Sequence, residues 1–371
     1  MHKHDSSPLR RAALAAAIAF AFAASAHAQQ TPAEAVRQSP TSDTRHATGT
    51  DDHHATELSG VVVTGSALRD TAATLGSPTE VLSGERLDEN RAASLGETVS
   101  SVPGVQSSNF GPGVGRPIIR GMDGPRVAVL SDGLSSQDVS TVSQDHAPAV
   151  EPFLADQIEV LKGPSILMFG NGAIGGAVNV VDGRIPEYAI DGGFGGRAET
   201  RFFAGDQGGN TSMARIDGGS DRFALHADAV HRHASDYDTP QGRQLNSFID
   251  TRSGAIGGSL LGDWGFVGLS ASRFEDAYGN PGEPGDPAAG ERGVHLQMQQ
   301  QRYQLKGALR DLWGEGNGLR FAVGHTGYDH TEFEGDVPGT VFRNNDNEGR
   351  VEACIGLTTD WQGALCVQVS S

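Results

Sequence analysis

The chain has little of what builds several familiar classes of protein. Two cysteines, Cys354 and Cys366, are too few for a disulfide scaffold, although a single bridge between them stays open. Aromatic residues make up only 6% of the chain. Basic residues number 28 against 46 acidic ones, a formal charge of -18, so a nucleic-acid partner is excluded because its phosphates would be repelled. Beyond the N-terminus no apolar run approaches the roughly 20 residues of a membrane-spanning helix. What is plentiful is glycine, at 51 residues, which with few helix formers favours turns and strands over bundles.

The N-terminus reads as a signal peptide over residues 1–28. Lys3, Arg10 and Arg11 give the positive start, and Leu14 to Ala24 is an apolar core too short to span a bilayer. Ala26-His27-Ala28 is the small-x-small cleavage site. Residues 29–56 are polar and lack apolar periodicity, so they read as a flexible extension. His46, His53 and His54 beside Asp51 and Asp52 offer transient metal ligands there, or simply a solvated linker. Residues 57–65 follow, with Leu58 leading into the β-branched run Val61, Val62, Val63 and Thr64, a segment suited to adding as a strand to a partner's sheet edge.

Two patterns divide the rest. Residues 66–187 mix short elements: a helix-like stretch from Leu87 to Val99 ended by Pro103-Gly104, strands at Ile118-Ile119-Arg120-Gly121 and Val127-Ala128-Val129-Leu130, and turns at Met122-Asp123-Gly124 and Asp132-Gly133. Phe153 to Lys162 carries a helix-to-strand passage. Gly170 to Gly175 satisfies G-x-G-x-x-G, but the strand-like Ala177 to Val181 follows where a dinucleotide site needs a helix N-terminus. Residues 192–371 instead alternate. Eight strands are expected, at Arg197–Gly205, Thr211–Gly219, Arg222–His233, Thr251–Leu260, Gly265–Phe274, Val294–Leu309, Leu319–Glu332 and Thr340–Ala353. In the third, Phe223, Leu225, Ala227 and Ala229 share one face, and Arg222, His226, Asp228 and Arg232 the other. That dyad is apolar towards lipid and polar towards a lumen. Short turns alternate with the longer polar stretches Ser235–Asn246 and Ala277–Gly293, which read as extracellular loops.

The run from Asp156-Gln157-Ile158-Glu159-Val160-Leu161-Lys162-Gly163-Pro164-Ser165 to Gly175-Gly176-Ala177-Val178-Asn179-Val180-Val181, with Ile118 to Gly124, resembles the plug domain of a TonB-dependent outer-membrane receptor. The resemblance implies an α+β plug inside a transmembrane antiparallel β-barrel. It implies that Leu58 to Thr64 is a TonB box captured by the partner TonB with its inner-membrane energising complex. It implies active import across the outer membrane in contact with its lipid, with no bond made or broken, so no enzyme. Barrels that hold a plug need about 22 strands, and eight close around side chains alone. The chain therefore reads as signal, plug and roughly the first third of the barrel.

Asp138 to Pro152, containing Gln144-Asp145-His146-Ala147-Pro148, resembles more narrowly the plug segment of zinc receptors of the ZnuD-like kind, as does Val180 to Pro186. That resemblance implies zinc as transported substrate, with no resident cofactor. It implies ligands at Asp145 and His146, a wall glutamate at Glu352 within Arg350-Val351-Glu352, and a further histidine from barrel sequence beyond this chain. Carboxylate oxygen and imidazole nitrogen suit zinc, but adjacent strand residues point to opposite faces, so Asp145 and His146 must lie in a loop. His231, His233 and Asp236, and likewise His325, Asp329, His330, Glu332 and Glu334, gather in expected loops or lumen faces as further capture groups or solvated polar residues. A siderophore or haem receptor, with His330 or His233 as axial ligand, and a soluble periplasmic binding module remain alternatives.

Overall fold

The computed structural model describes residues 78–371 apart from 164–168, 170–172, 204–207, 287, 315–316 and 359–360. The signal peptide, the extension, the TonB-box-like segment and Gly170 to Gly172 lie outside the described residues.

Short elements come first: β1 (Thr79–Ser83), α1 (Gly84–Asn90), α2 (Leu95–Val99), β2 (Val105–Ser107), β3 (Pro117–Ile119), β4 (Val127–Ser131), β5 (Leu134–Ser135), β6 (Gln157–Leu161) and β7 (Gly176–Val181). The expected single helix from Leu87 to Val99 is two. Ser94-Leu95-Gly96-Glu97 has the spacing of a capping box, and the Ser94 hydroxyl accepts from the Glu97 amide at 3.4 Å, restarting the helix. Five strands form a sheet in the order β1-β6-β7-β4-β5, with β4 and β7 parallel and the other pairs antiparallel. Its core is built from Leu82, Leu87, Leu95, Val99, Ile158, Val160 and Val178. The Asp132-Gly133 turn joins β4 to β5 with both residues at positive φ, 51° and 82°, which Asp and Gly tolerate.

The second part is one antiparallel sheet. Its strands are β8 (Phe194–Phe203), β9 (Gly209–Ser220), β10 (Phe223–Ala234), β13 (Ile249–Gly262), β14 (Gly265–Gly279), β15 (His295–Leu309), β16 (Gly318–Glu334), β17 (Val337–Thr358) and β18 (Trp361–Ser370), with the small ribbon β11 (Asp238–Thr239) and β12 (Gly242–Arg243) inside one loop. The order β18-β17-β16-β15-β14-β13-β10-β9-β8 leaves β8 and β18 at the edges. All eight expected strands are present, and β18 is a ninth. The last expected strand ends at Ala353; β17 instead runs through to Thr358 and pairs with β18. The first part of the expected loop Ala277–Gly293 is strand, since Ala277 to Gly279 pair with Gln297 to His295.

Strand β10 alternates as expected. Phe223, Leu225, Ala227 and Ala229 are exposed on the outer face, while His226, Asp228 and Arg232 are buried on the inner one against the plug. Arg222 departs from this, lying in the turn before the strand. Phe194, Ile216, Ile256, Leu269, Leu305, Val323 and Val367 extend the exposed apolar outer face to both sides.

Candidate metal centre

The inner face of β16 presents Tyr328, His330 and Glu332, because residues two apart on a strand share a face. Phe342 of β17 and Met298 of β15 lie directly opposite His330. The plug meets this wall with the loop between β5 and β6. Asp138 ties the loop into a closed turn, its carboxylate accepting from the amides of Ser140 and Ala149, each at 2.9 Å. Arg116 holds the Ser140 and Ser143 carbonyls, the latter at 3.0 Å. The buried Tyr278 hydroxyl of β14 accepts from the Ala147 amide at 3.0 Å and donates to the Asp145 carbonyl at 2.9 Å. These two bonds flank His146, so the wall itself fixes the backbone that carries it.

His146 is 0% exposed. Its Nδ1 lies 3.0 Å from the Val139 carbonyl, an acceptor, so Nδ1 carries the proton and Nε2 its lone pair. Nε2 in turn lies 2.8 Å from Glu332 Oε1. Two acceptors at that distance need a proton or a cation between them. His330, also 0% exposed, has Nδ1 2.8 Å from the Tyr328 hydroxyl, which itself donates to the Met298 sulfur at 3.7 Å. His330 Nε2 is buried with no hydrogen-bond partner. Ligand atoms of His146, His330 and Glu332 all lie within 4.8 Å of one another. Asp145 Oδ1 stands 4.0 Å from His146 Nε2, and Phe342 packs edge-on to both rings, 5.2 and 5.7 Å away. Two imidazoles, each held through Nδ1 by a second partner, with carboxylates beside them, form a donor set for a borderline divalent ion.

The expected site residues divide sharply. Asp145 and His146 lie in a loop, as their chemistry required, and meet His330 and Glu332. Glu352 does not join them. The register pairs His330 with Phe342 but Arg320 with Glu352, so Glu352 sits about 33 Å further along the sheet, accepting from Arg350 at 2.6 Å. The wall carboxylate beside His146 is Glu332, and a histidine of this chain, His330, lies with it. His325 and Asp329 are excluded by parity, being odd-numbered neighbours on the outer face of β16. His231 and His233 are likewise on the outer face of β10, not in a loop or the lumen. Asp236 is apart from both, accepting from the Ser247 amide at 2.7 Å. Glu334 is exposed at the strand end. His330 and Glu332, expected as further capture groups, share the inner face because they stand two apart in His330-Thr331-Glu332 of β16. Nothing in the sequence marked Tyr278, Tyr328 or Phe342.

Lower on the inner face, plug and wall are joined by ion pairs. Arg184 donates to Asp228 at 2.9 Å and lies 3.1 Å from Asp182. His226 spans Asp217 and Asp228 with its two nitrogens, at 2.8 and 2.9 Å. Arg215 pairs with Asp217 at 2.7 Å and with the plug's Asp156. Lys306 lies 3.3 Å from Asp132 and 2.9 Å from Glu187. Burial raises the Asp132 carboxyl to about 7, against the opposing pull of Lys306.

Residues 71–177 match the TonB-dependent Receptor Plug Domain family. Solved structures with the same fold include the copper transporter OprC, 19% identical with a TM-score of 0.65, over 84% of this chain and 47% of that one. A mutant of the ferric enterobactin receptor PfeA from Pseudomonas aeruginosa is 15% identical, TM-score 0.63, over 84% and 50%. The siderophore receptor PirA from Acinetobacter baumannii is 16% identical, TM-score 0.61, over 82% and 49%. The chain thus carries a TonB-dependent receptor plug domain followed by an antiparallel sheet with the fold of the receptor wall, and it spans about half the length of these structures. The matches are to transporters and receptors, not to enzymes.

Proposed function

We propose that this chain is the plug and part of the wall of a TonB-dependent outer-membrane receptor that imports a divalent metal ion, zinc, into the periplasm with energy from TonB. The observation that carries the reading is the unpartnered, buried His330 Nε2 aimed at His146 and Glu332. An unsatisfied buried polar group costs about 1–3 kcal/mol, which a bound cation would offset. Two imidazoles and carboxylates select zinc over calcium or magnesium, whose ligands are oxygens. A siderophore is a poorer match, since the converging groups are few, small and suited to a bare ion.

Copper is the second reading. Met298 stands opposite His330, and a soft thioether near two imidazoles suits copper; the copper transporter OprC shares the fold. Calorimetry of the full chain in detergent tests both. Loss of one zinc per chain in His146→Ala and in His330→Ala, relative to the parent, is the expected result. A zinc stoichiometry unchanged in both substitutions overturns the assignment. Copper(I) binding that outcompetes zinc and falls on Met298→Leu moves the substrate to copper.

A further inference from the structure

The outer face of β10 carries a second group of metal-ligating side chains. His231 and His233 are two apart and so point the same way, both about half exposed. Across the ladder His233 pairs with Asp250, and His231 with Arg252. One oxygen, Asp250 Oδ2, is approached by both rings: His233 Nδ1 at 3.3 Å and His231 Nε2 at 3.7 Å. The other oxygen, Oδ1, lies 3.3 Å from Arg252 Nε, which orients the carboxylate.

We propose that His231, His233 and Asp250 form a separate site for a borderline divalent ion, zinc, copper or nickel, on the outer surface of the wall. The separations support it. Donors at about 2.0–2.2 Å from a tetrahedral ion stand about 3.3–3.6 Å from one another; the 3.3 Å edge has this length, and the 3.7 Å edge is only slightly longer. The third edge, between the rings, closes by side-chain rotation, which half-exposed histidines on an open strand face permit. Imidazole pairs favour transition metals over calcium or magnesium, whose ligands are oxygens. Three protein donors leave the fourth position to a water. The sheet separates this group from His146 and His330, which lie on its other face, so it binds independently of the lumen centre.

The test is a zinc titration by calorimetry of the full chain carrying His146→Ala and His330→Ala, which silences the lumen centre. One zinc per chain is expected to remain and to be lost on adding His231→Gln and His233→Gln. Asp250→Asn is expected to weaken it about tenfold. Copper(II) electron paramagnetic resonance of the same protein should show two imidazole nitrogens. No residual zinc, or residual zinc indifferent to the two glutamines, overturns the proposal. Should the lumen variant fail to fold, the parent chain decides by stoichiometry: loss of one of two zincs in the glutamine variant supports the site, and no loss refutes it. Loss of the wall zinc alone, with the lumen zinc intact, and the reverse are separate outcomes, so either assignment can fail without the other.

Discussion

At the scale of single residues, the lumen centre depends on groups that never touch an ion. Tyr328 bonds His330 Nδ1 at 2.8 Å and so fixes the orientation of the ring. Its replacement by Phe leaves the ring free to turn, and a loss of about 10- to 100-fold in zinc affinity is expected by calorimetry. Restoring a polar partner should recover part of that loss, which mere repacking would not. Glu332→Gln removes a charged donor and keeps its shape, so zinc binding should weaken while the melting temperature changes little. These residues were poorly legible beforehand. Asp145 and His146 stood out because their sequence context resembles a known plug segment. Tyr278 and Tyr328 were silent, because their roles arise only when a wall and a loop distant in sequence are brought together.

At the scale of elements, the ion pairs between β7's end, the loop after it and strands β9, β10 and β15 fasten the plug. Arg184→Leu leaves Asp182 and Asp228 buried without their cation, and a loss of about 3–5 kcal/mol is expected in denaturant unfolding of the full chain. Asp132 gives this region a pH dependence. Its carboxyl is held near 7 by burial, above the roughly 3.9 of an unfolded chain. The folded state then keeps a proton that the unfolded state releases. Stability from this group is full below pH 4 and falls as pH rises to about 7. Asp132→Asn, which still tolerates the positive φ of the turn, should flatten that slope in melts taken from pH 4 to 8. The strands themselves were legible, since alternation of side chains is a local property. Register was not. Glu352 went to the wrong end of the sheet because no local feature reveals which residues of β16 and β17 stand opposite.

At the scale of the whole molecule, the apolar zone of the outer surface is slanted across the strands, as expected of a wall lying in a bilayer. On β10 the apolar face gives way to polar residues between Ala229 and His231; on β17 it does so between Gly349 and Asn347. Following the ladders, Asn347 stands level with Ala227, so the boundary has slipped four residues over five strand steps. That is about 13 Å along the strands over about 24 Å across them, a slant of about 30°. Strands tilted by roughly 35–45° against a level membrane produce such a slant. Leu269→Lys, within the apolar zone, should cost about 2–4 kcal/mol in vesicle-reconstituted protein, and Gln299→Lys, above it, close to nothing. Unfolding titrations in the same lipid compare them directly.

The lumen donors are divided between two bodies: Asp145 and His146 ride on the plug, His330 and Glu332 on the wall. An ion bound to all of them is a clasp. By linkage, the free energy with which the closed arrangement binds the ion is the same free energy the ion adds against displacement of the plug. A loaded plug is therefore harder to dislodge than an empty one. In the proposed import, a plug displacement of a few ångströms would split the chelate and discharge the ion as a path opens for it. Grip and release need no separate trigger, because one displacement performs both.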